Sequence, residues 1–174
     1  MGVLGNKVIN YNVYHKVEKK LSKVDDTTSY KRPSFEYLTD SMKGAGIMGE
    51  IDFPAFAQFG AMSVEIALKR TNPKVVAMLT PGVHELEIRW AIDEMDTATG
   101  QTRTIANKDI LRVLTKSLDT GSIEPNAANE NKYAAEVLYI NHIQNGRSLF
   151  EIDKLNYSYK INGKDYAARI RGAL

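Results

Sequence analysis

With 174 residues, 43% hydrophobic and 25% charged, the chain has the composition of one ordinary folded domain, able to bury about 70% of the surface its unfolded form would expose. The absence of cysteine excludes disulfides, thiolate metal sites and cysteine nucleophiles together, and His15, His84 and His142 are not within helical reach of one another. A formal charge of +2 is too mild for a concentrated nucleic-acid stripe, no apolar run approaches the ~20 residues of a bilayer span, and MGVLGNKVIN lacks both the apolar core of a secretory signal and, with Asn6 in place of Ser or Thr, a myristoylation signal, so a soluble protein made in the cytoplasm is expected.

Between Val8 and Val24, Val13, Val17, Leu21 and Val24 stand among Lys16, Lys19, Lys20 and Lys23. Their spacing suits a short helix, while VYHKV reads as a strand, and strand is favoured. The lysines read as a solvated face in preference to a patch for an acidic partner. Asp25 to Pro33 is a polar turn or linker. A long segment comes next at about 40–60, in which Gly44, Gly46 and Gly49 alternate with Ile47, Met48 and Ile51, and Phe53, Phe56 and Phe59 come after them. Glycines loosen the backbone, but a solvated loop has no reason to carry three phenylalanines. The segment is expected either to fold back on its own core or to dock on another subunit.

Met62 to Leu68 alternates cleanly as a strand. Asn72 then serves as N-cap and Pro73 as first helical residue, with Val75, Val76 and Leu79 on one face before Pro81 and Gly82 end the helix. His84 to Asp93 buries Leu86, Ile88, Trp90 and Ile92 against outward Glu85, Glu87, Arg89 and Asp93. Further strands are predicted around Asp109 to Leu118 and Tyr133 to Ile143, the second with Ala135, Val137, Tyr139, Asn141 and Ile143 on one face. Asn145-Gly146 and Asn162-Gly163 favour tight hairpins, since both residues tolerate positive φ. Between those turns Leu155, Tyr157, Tyr159 and Ile161 alternate with Asn156, Ser158 and Lys160 as a half-buried strand. Seven or eight antiparallel strands and one helix predict a mainly β fold, an antiparallel β-sandwich or barrel with one short flanking α-helix, in a single domain over 1–174.

Chemistry is sparse. Asp119-Thr120-Gly121 matches the aspartic protease tripeptide but opens a polar loop without the flanking apolar strands, so an ordinary turn explains it. Gly44 to Gly49 matches a bare GxGxxG, yet Pro54 interrupts the adjoining IDFPAF stretch and no helix opens there. Asn156 to Ser158 formally matches a glycosylation acceptor in the middle of a predicted strand. Catalytic, cofactor and metal residues are accordingly not assigned.

The order and spacing of KGAG (Lys43 to Gly46), MSVEIALK, LDTG (Leu118 to Gly121), EID (Glu151 to Asp153) and Asn162-Gly163 resemble the major tail tube proteins of contractile-tailed bacteriophages. That family is shared with R-type bacteriocins and is similar in architecture to the type VI secretion tube protein, and the resemblance runs from about residue 10 to the C-terminus. It implies a structural protein, not an enzyme: homohexameric rings, with strands joined into a continuous inner barrel, stack into a hollow tube that sheath contraction drives through a target envelope. The implied partners are the chain itself, the tail sheath protein, and baseplate and tape-measure proteins. DNA would pass through without specific binding in a phage, with no cofactor and no membrane anchor, and the protein would reside in a virion tail or tail-like particle. Gly44, Gly46, Ile47, Met48, Gly49, Ile51, Phe53, Phe56 and Phe59 then become the expected assembly loop. Because a conduit must not grip a polyanion, Glu85, Glu87, Asp93, Glu136 and Glu151 become the lumen-facing candidates. The alternative from a different class is a monomeric β-barrel that binds a small apolar ligand.

Overall fold

Two-residue alternation extends further along the chain than the predicted strands. In the computed structural model, which describes residues 2–174, β1 (Val3–Val17) and β2 (Lys20–Val24) form a hairpin. Its turn places Glu18 and Lys19 at φ 47° and 66°, the conformation of a tight hairpin turn reached here without glycine. β3 (Thr27–Lys31) is next, and then β4 (Tyr37–Met42) and β5 (Ile51–Phe59), which pair only with each other. β6 (Ser63–Leu68), the short helix α1 (Pro73–Ala77) and the long strands β7 (Val83–Asp96), β8 (Thr102–Asp119) and β9 (Asn131–Gln144) build the body. β10 (Arg147–Asp153), β11 (Ser158–Ile161), β12 (Lys164–Asp165) and α2 (Ala168–Arg171) end the chain.

Ten of these strands form one antiparallel sheet in the order β12-β11-β10-β9-β8-β7-β1-β2. It forks at β9, whose first half pairs with β6 (Ser63 opposite Glu136, Leu68 opposite Asn131) and whose second half pairs with β10; β6 in turn carries β3. The fork lets the sheet curl around one core made by Val13, Val64, Ile66, Leu86, Ile88, Leu111, Val113 and Ile140, with Val75 and Met78 of the α1 region packed in. Fully burying each such side chain contributes roughly 2 kcal/mol. Tyr133, Met62, Met78 and Leu111, all at 0% exposure, fill the space that a ligand-binding barrel would hold open. The mainly β, antiparallel architecture is as expected.

Five local expectations change. The stretch from Asp25 to Pro33, expected as a turn or linker, carries β3, which pairs with β6. Ala135 and Val137 face the core, but a bulge opposite Arg112 and Val113 shifts the register at Leu138. Ile140 and His142 therefore point inward, and Tyr139, Asn141 and Ile143 point away from the predicted face. The strand expected to run through Leu155 is broken by a turn, where Asp153 accepts hydrogen bonds from the backbone of Leu155 (3.1 Å) and Asn156 (3.0 Å) and Tyr157 takes φ 52°. In α1, Asn72 caps as expected, accepting from the backbone of Lys74 and Val75. The buried face, however, is Val75 and Met78, three residues apart on one side of the turn, while Val76 and Leu79 are exposed on the adjoining side. A second helix, α2, closes the C-terminal end. Among the described residues no helix is long and apolar enough to cross a membrane.

Candidate assembly surfaces

The segment around 40–60 is a β-hairpin arm. Gly46 and Gly49 take φ 91° and 108° at its tip, where the Ile47 backbone N–H donates to the Gly44 carbonyl at 3.1 Å; only glycine adopts such angles freely. The base of the arm is held by aromatic rings. Tyr37 stacks on Phe59 at 5.1 Å, and Phe59 and Phe56 meet Tyr159 of β11 edge-on at 5.2 and 6.1 Å. The hydroxyls of Tyr37 and Tyr159 lie 2.7 Å apart, and burial, together with Tyr37, pushes the Tyr159 phenol up to about 12. The outer half has no such cover: Met48, Phe53, Met42 and Ile51 are all exposed, Phe53 at 61%. The two expectations for this segment therefore divide along its length, with Phe59 joined to the body and Phe53 and Ile51 left bare.

The chain leading into the arm is fixed at its root. Arg32 donates twice to Asp109, at 3.0 and 3.2 Å. Asp109 is fully buried and also lies 2.8 Å from His142 Nδ1 and 3.3 Å from the Tyr30 hydroxyl. The Arg32 guanidinium covers the Trp90 ring at 4.9 Å, and Trp90 stacks on His142 at 5.5 Å. Burial, then the Asp109 charge, hold the Tyr30 phenol far above its ordinary value. A buried carboxylate held by a cation and two further polar groups is satisfied in a way that an isolated one could not be.

The five candidate acids share one side of the sheet. Glu85, Glu87 and Asp93 have the strand parity opposite to the buried Leu86 and Ile88, and Glu136 and Glu151 occupy the same parity on β9 and β10. Four of them are ion-paired: Glu85 with Lys16, Glu87 with Arg89 (2.6 Å), Glu136 with Lys154 (3.0 Å) and Glu151 with Lys160 (3.4 Å). Asp93 accepts from the Thr104 hydroxyl at 3.3 Å. Arg112, on the same face, pairs with Asp153 at 2.6 Å and covers the Tyr139 ring at 4.5 Å. The face is charge-balanced rather than acidic. Desolvation raises the Glu136 carboxyl, but hydrogen bonds from the Met62 backbone and from Lys154, with the charges of Lys154 and Lys116, together hold it below its ordinary value.

Sequence reading missed a second bare element. β2 pairs with β1 only from Val13 onward, and β8 pairs with β9 only from Asn107 onward. The ends of β1, β7 and β8 thus project as a three-stranded tongue with an unpaired edge along Val3 to Asn12. Val3, Leu4, Val8 and Ile9 on it are exposed. The available signal was the pair Val8-Ile9, which puts apolar groups on both faces of one strand, as happens where both faces are covered.

Known proteins are similar to this chain in sequence or in fold. The family model described as phage tail tube protein FII matches residues 5–174. The tail tube protein of Escherichia phage P2 is 28% identical over 135 residues, which are 76% of this chain and 77% of that protein. Among solved structures, a chain from the cryo-EM structure of an extracellular contractile injection system, a PVC sheath/tube terminator in the extended state, superposes with a TM-score of 0.52 at 11% identity, over 79% of this chain and 96% of that one. That likeness bears on the fold alone. With nearly its whole length matched by the family model, the chain belongs to the phage tail tube protein FII family.

Proposed function

We propose that the chain, as a single tail tube domain, closes into homohexameric rings that stack into the inner tube of a contractile tail or tail-like particle. The tube lies inside a sheath, grows from a baseplate around a tape-measure protein, and is driven through the target envelope when the sheath contracts. The observation that carries this reading furthest is the arm, because a member of this family with a satisfied core still exposes Phe53, Ile51 and Met48 on an element that its own body does not cover. The unpaired edge of β1 supports it too, since a neighbour's strand would complete an edge that otherwise invites aggregation. Contacts of this kind are heterologous: they close in the plane of a ring and propagate along its axis.

The face bearing Glu85, Glu87, Asp93, Glu136 and Glu151 lines the lumen in this reading. Each phosphate neutralised by a free Lys or Arg adds affinity and therefore drag. A wall on which Lys16, Arg89, Arg112, Lys154 and Lys160 are held by carboxylates gives DNA fewer free cations to bind. Concentrated purified protein, analysed by size-exclusion mass and negative-stain electron microscopy, should yield rings or hollow tubes. A monomer at every concentration, both alone and with its baseplate, would refute the assembly.

A further inference from the structure

We propose that the outer half of the arm of one copy docks in the groove between β1 and β3 of a second copy. This rests on the ring-forming reading above and supplies the contact that it leaves unspecified.

The groove encloses about 270 Å³ and is bounded by Val8 and Tyr11 on one side and Ser29, Tyr30 and Arg32 on the other, with Ile88 and Trp90 as floor. Both walls are strands with an open edge, since β1 has no partner strand before Val13 on this side and β3 pairs with β6 alone. It is the seam at which the curled sheet fails to close. An added strand would find backbone donors and acceptors on both walls, the mode by which extended segments complete an open sheet. The Tyr11 hydroxyl at this site is buried without a hydrogen-bond partner, and a buried hydroxyl in that condition is costly until something satisfies it.

The arm of the same copy is held elsewhere by Tyr159 through Phe56, Phe59 and Tyr37, so the occupant is a second copy. Charge agrees. Residues 36–53 carry Glu36, Asp40, Glu50 and Asp52 against Lys43, a balance of −3, whereas residues 3–32 carry seven Lys and Arg against three acids, a balance of +4. Glu36, Asp40 and Asp52 have no ion-pair partner among the described residues. Apolar anchors are matched as well, with exposed Phe53 and Ile51 meeting exposed Val8 and half-buried Tyr11 and Trp90, and the complementary fields set orientation and encounter.

A chain without cysteine makes the test clean. Ala55→Cys, on the arm face shared with Ile51 and Phe53, and Ser29→Cys are placed on separate chains, mixed, assembled into tubes and oxidised, alongside a decoy mixture of Ala55→Cys with Thr104→Cys on the charge-balanced face. If Ala55→Cys abolishes tubes, Thr39→Cys on the adjacent arm strand replaces it. Tubes with disulfide dimers from the Ser29 mixture and not from the decoy, and a ladder extending beyond dimer when both substitutions share one chain, are the expected result. Tubes that give no Ser29 cross-link, or that cross-link through the decoy, overturn this docking site and leave tube assembly standing. Failure of the unsubstituted chain to assemble at all overturns both.

Discussion

Asp109 marks the start of a predicted strand in the sequence and nothing more; in the fold it is a fully buried carboxylate whose partners come from β9 and from β3 with the residue that follows it. No local pattern announces this, because Arg32 lies 77 residues away. Breaking a buried pair costs about 3–5 kcal/mol. Arg32 is half-exposed and His142 and Tyr30 remain, so Arg32→Ala should cost about 2 kcal/mol in urea unfolding. An unchanged midpoint would contradict the role given to the arm's root. The histidines illustrate the same limit. Read singly they suggest nothing, but His15 and His84 meet at 3.2 Å, and His84 Nε2 donates to the Thr80 carbonyl at 2.8 Å. That leaves His84 Nδ1 facing His15 Nε2 as the second half of the contact. Burial, then His84, lower the His15 pKa below its ordinary 6.5. The unfolded chain therefore takes up a proton first as pH falls: this contribution to stability is complete above 6.5 and is lost as pH drops through the window below it. His15→Gln should flatten the fall in urea midpoint across that range, and an equally steep profile would assign the pH dependence to another group.

At the scale of the element, turn chemistry was the most legible feature. Asn145-Gly146 and Asn162-Gly163 adopt positive φ as expected, because the requirement lies in the two residues themselves. Turns at Glu18-Lys19 and at Lys154 to Tyr157 were not legible, since residues that usually avoid positive φ adopt it under tertiary constraint. The bulge in β9 was invisible for a related reason: alternation continues on both sides of it, and only pairing with β8 reveals the slip. In the arm, the glycine and phenylalanine pattern located the segment but not the division between its halves. That division predicts opposite outcomes for two similar substitutions. Phe53→Ser removes an exposed side chain and should change stability by less than about 0.5 kcal/mol while abolishing tubes. Phe59→Ser breaks the stack on Tyr37 and Tyr159 and should cost about 2 kcal/mol in thermal or urea unfolding. Tubes of Phe53→Ser chains, seen by negative stain, would return the arm to an intramolecular role.

For the whole molecule, the mainly β antiparallel class came from alternation and turn spacing, and the order of short motifs along the chain pointed to the tail tube family. The forked sheet and the tongue were not legible, because both depend on which strands outlast their neighbours, and strand length is set by pairing rather than by composition. Nor was the charge balance of the candidate acids, each of whose partners had to be brought near by the sheet. The monomer is in this sense unfinished: its core is filled while its arm, tongue edge and seam are open. A cryo-EM reconstruction of the assembled protein tests this directly. The expected result is a hollow tube with six copies per ring, arms buried between copies, and the strand face of Glu85, Glu87 and Glu151 toward the lumen. A tube of another symmetry, or one whose arms stand free while unpaired Lys and Arg line the channel, would contradict it.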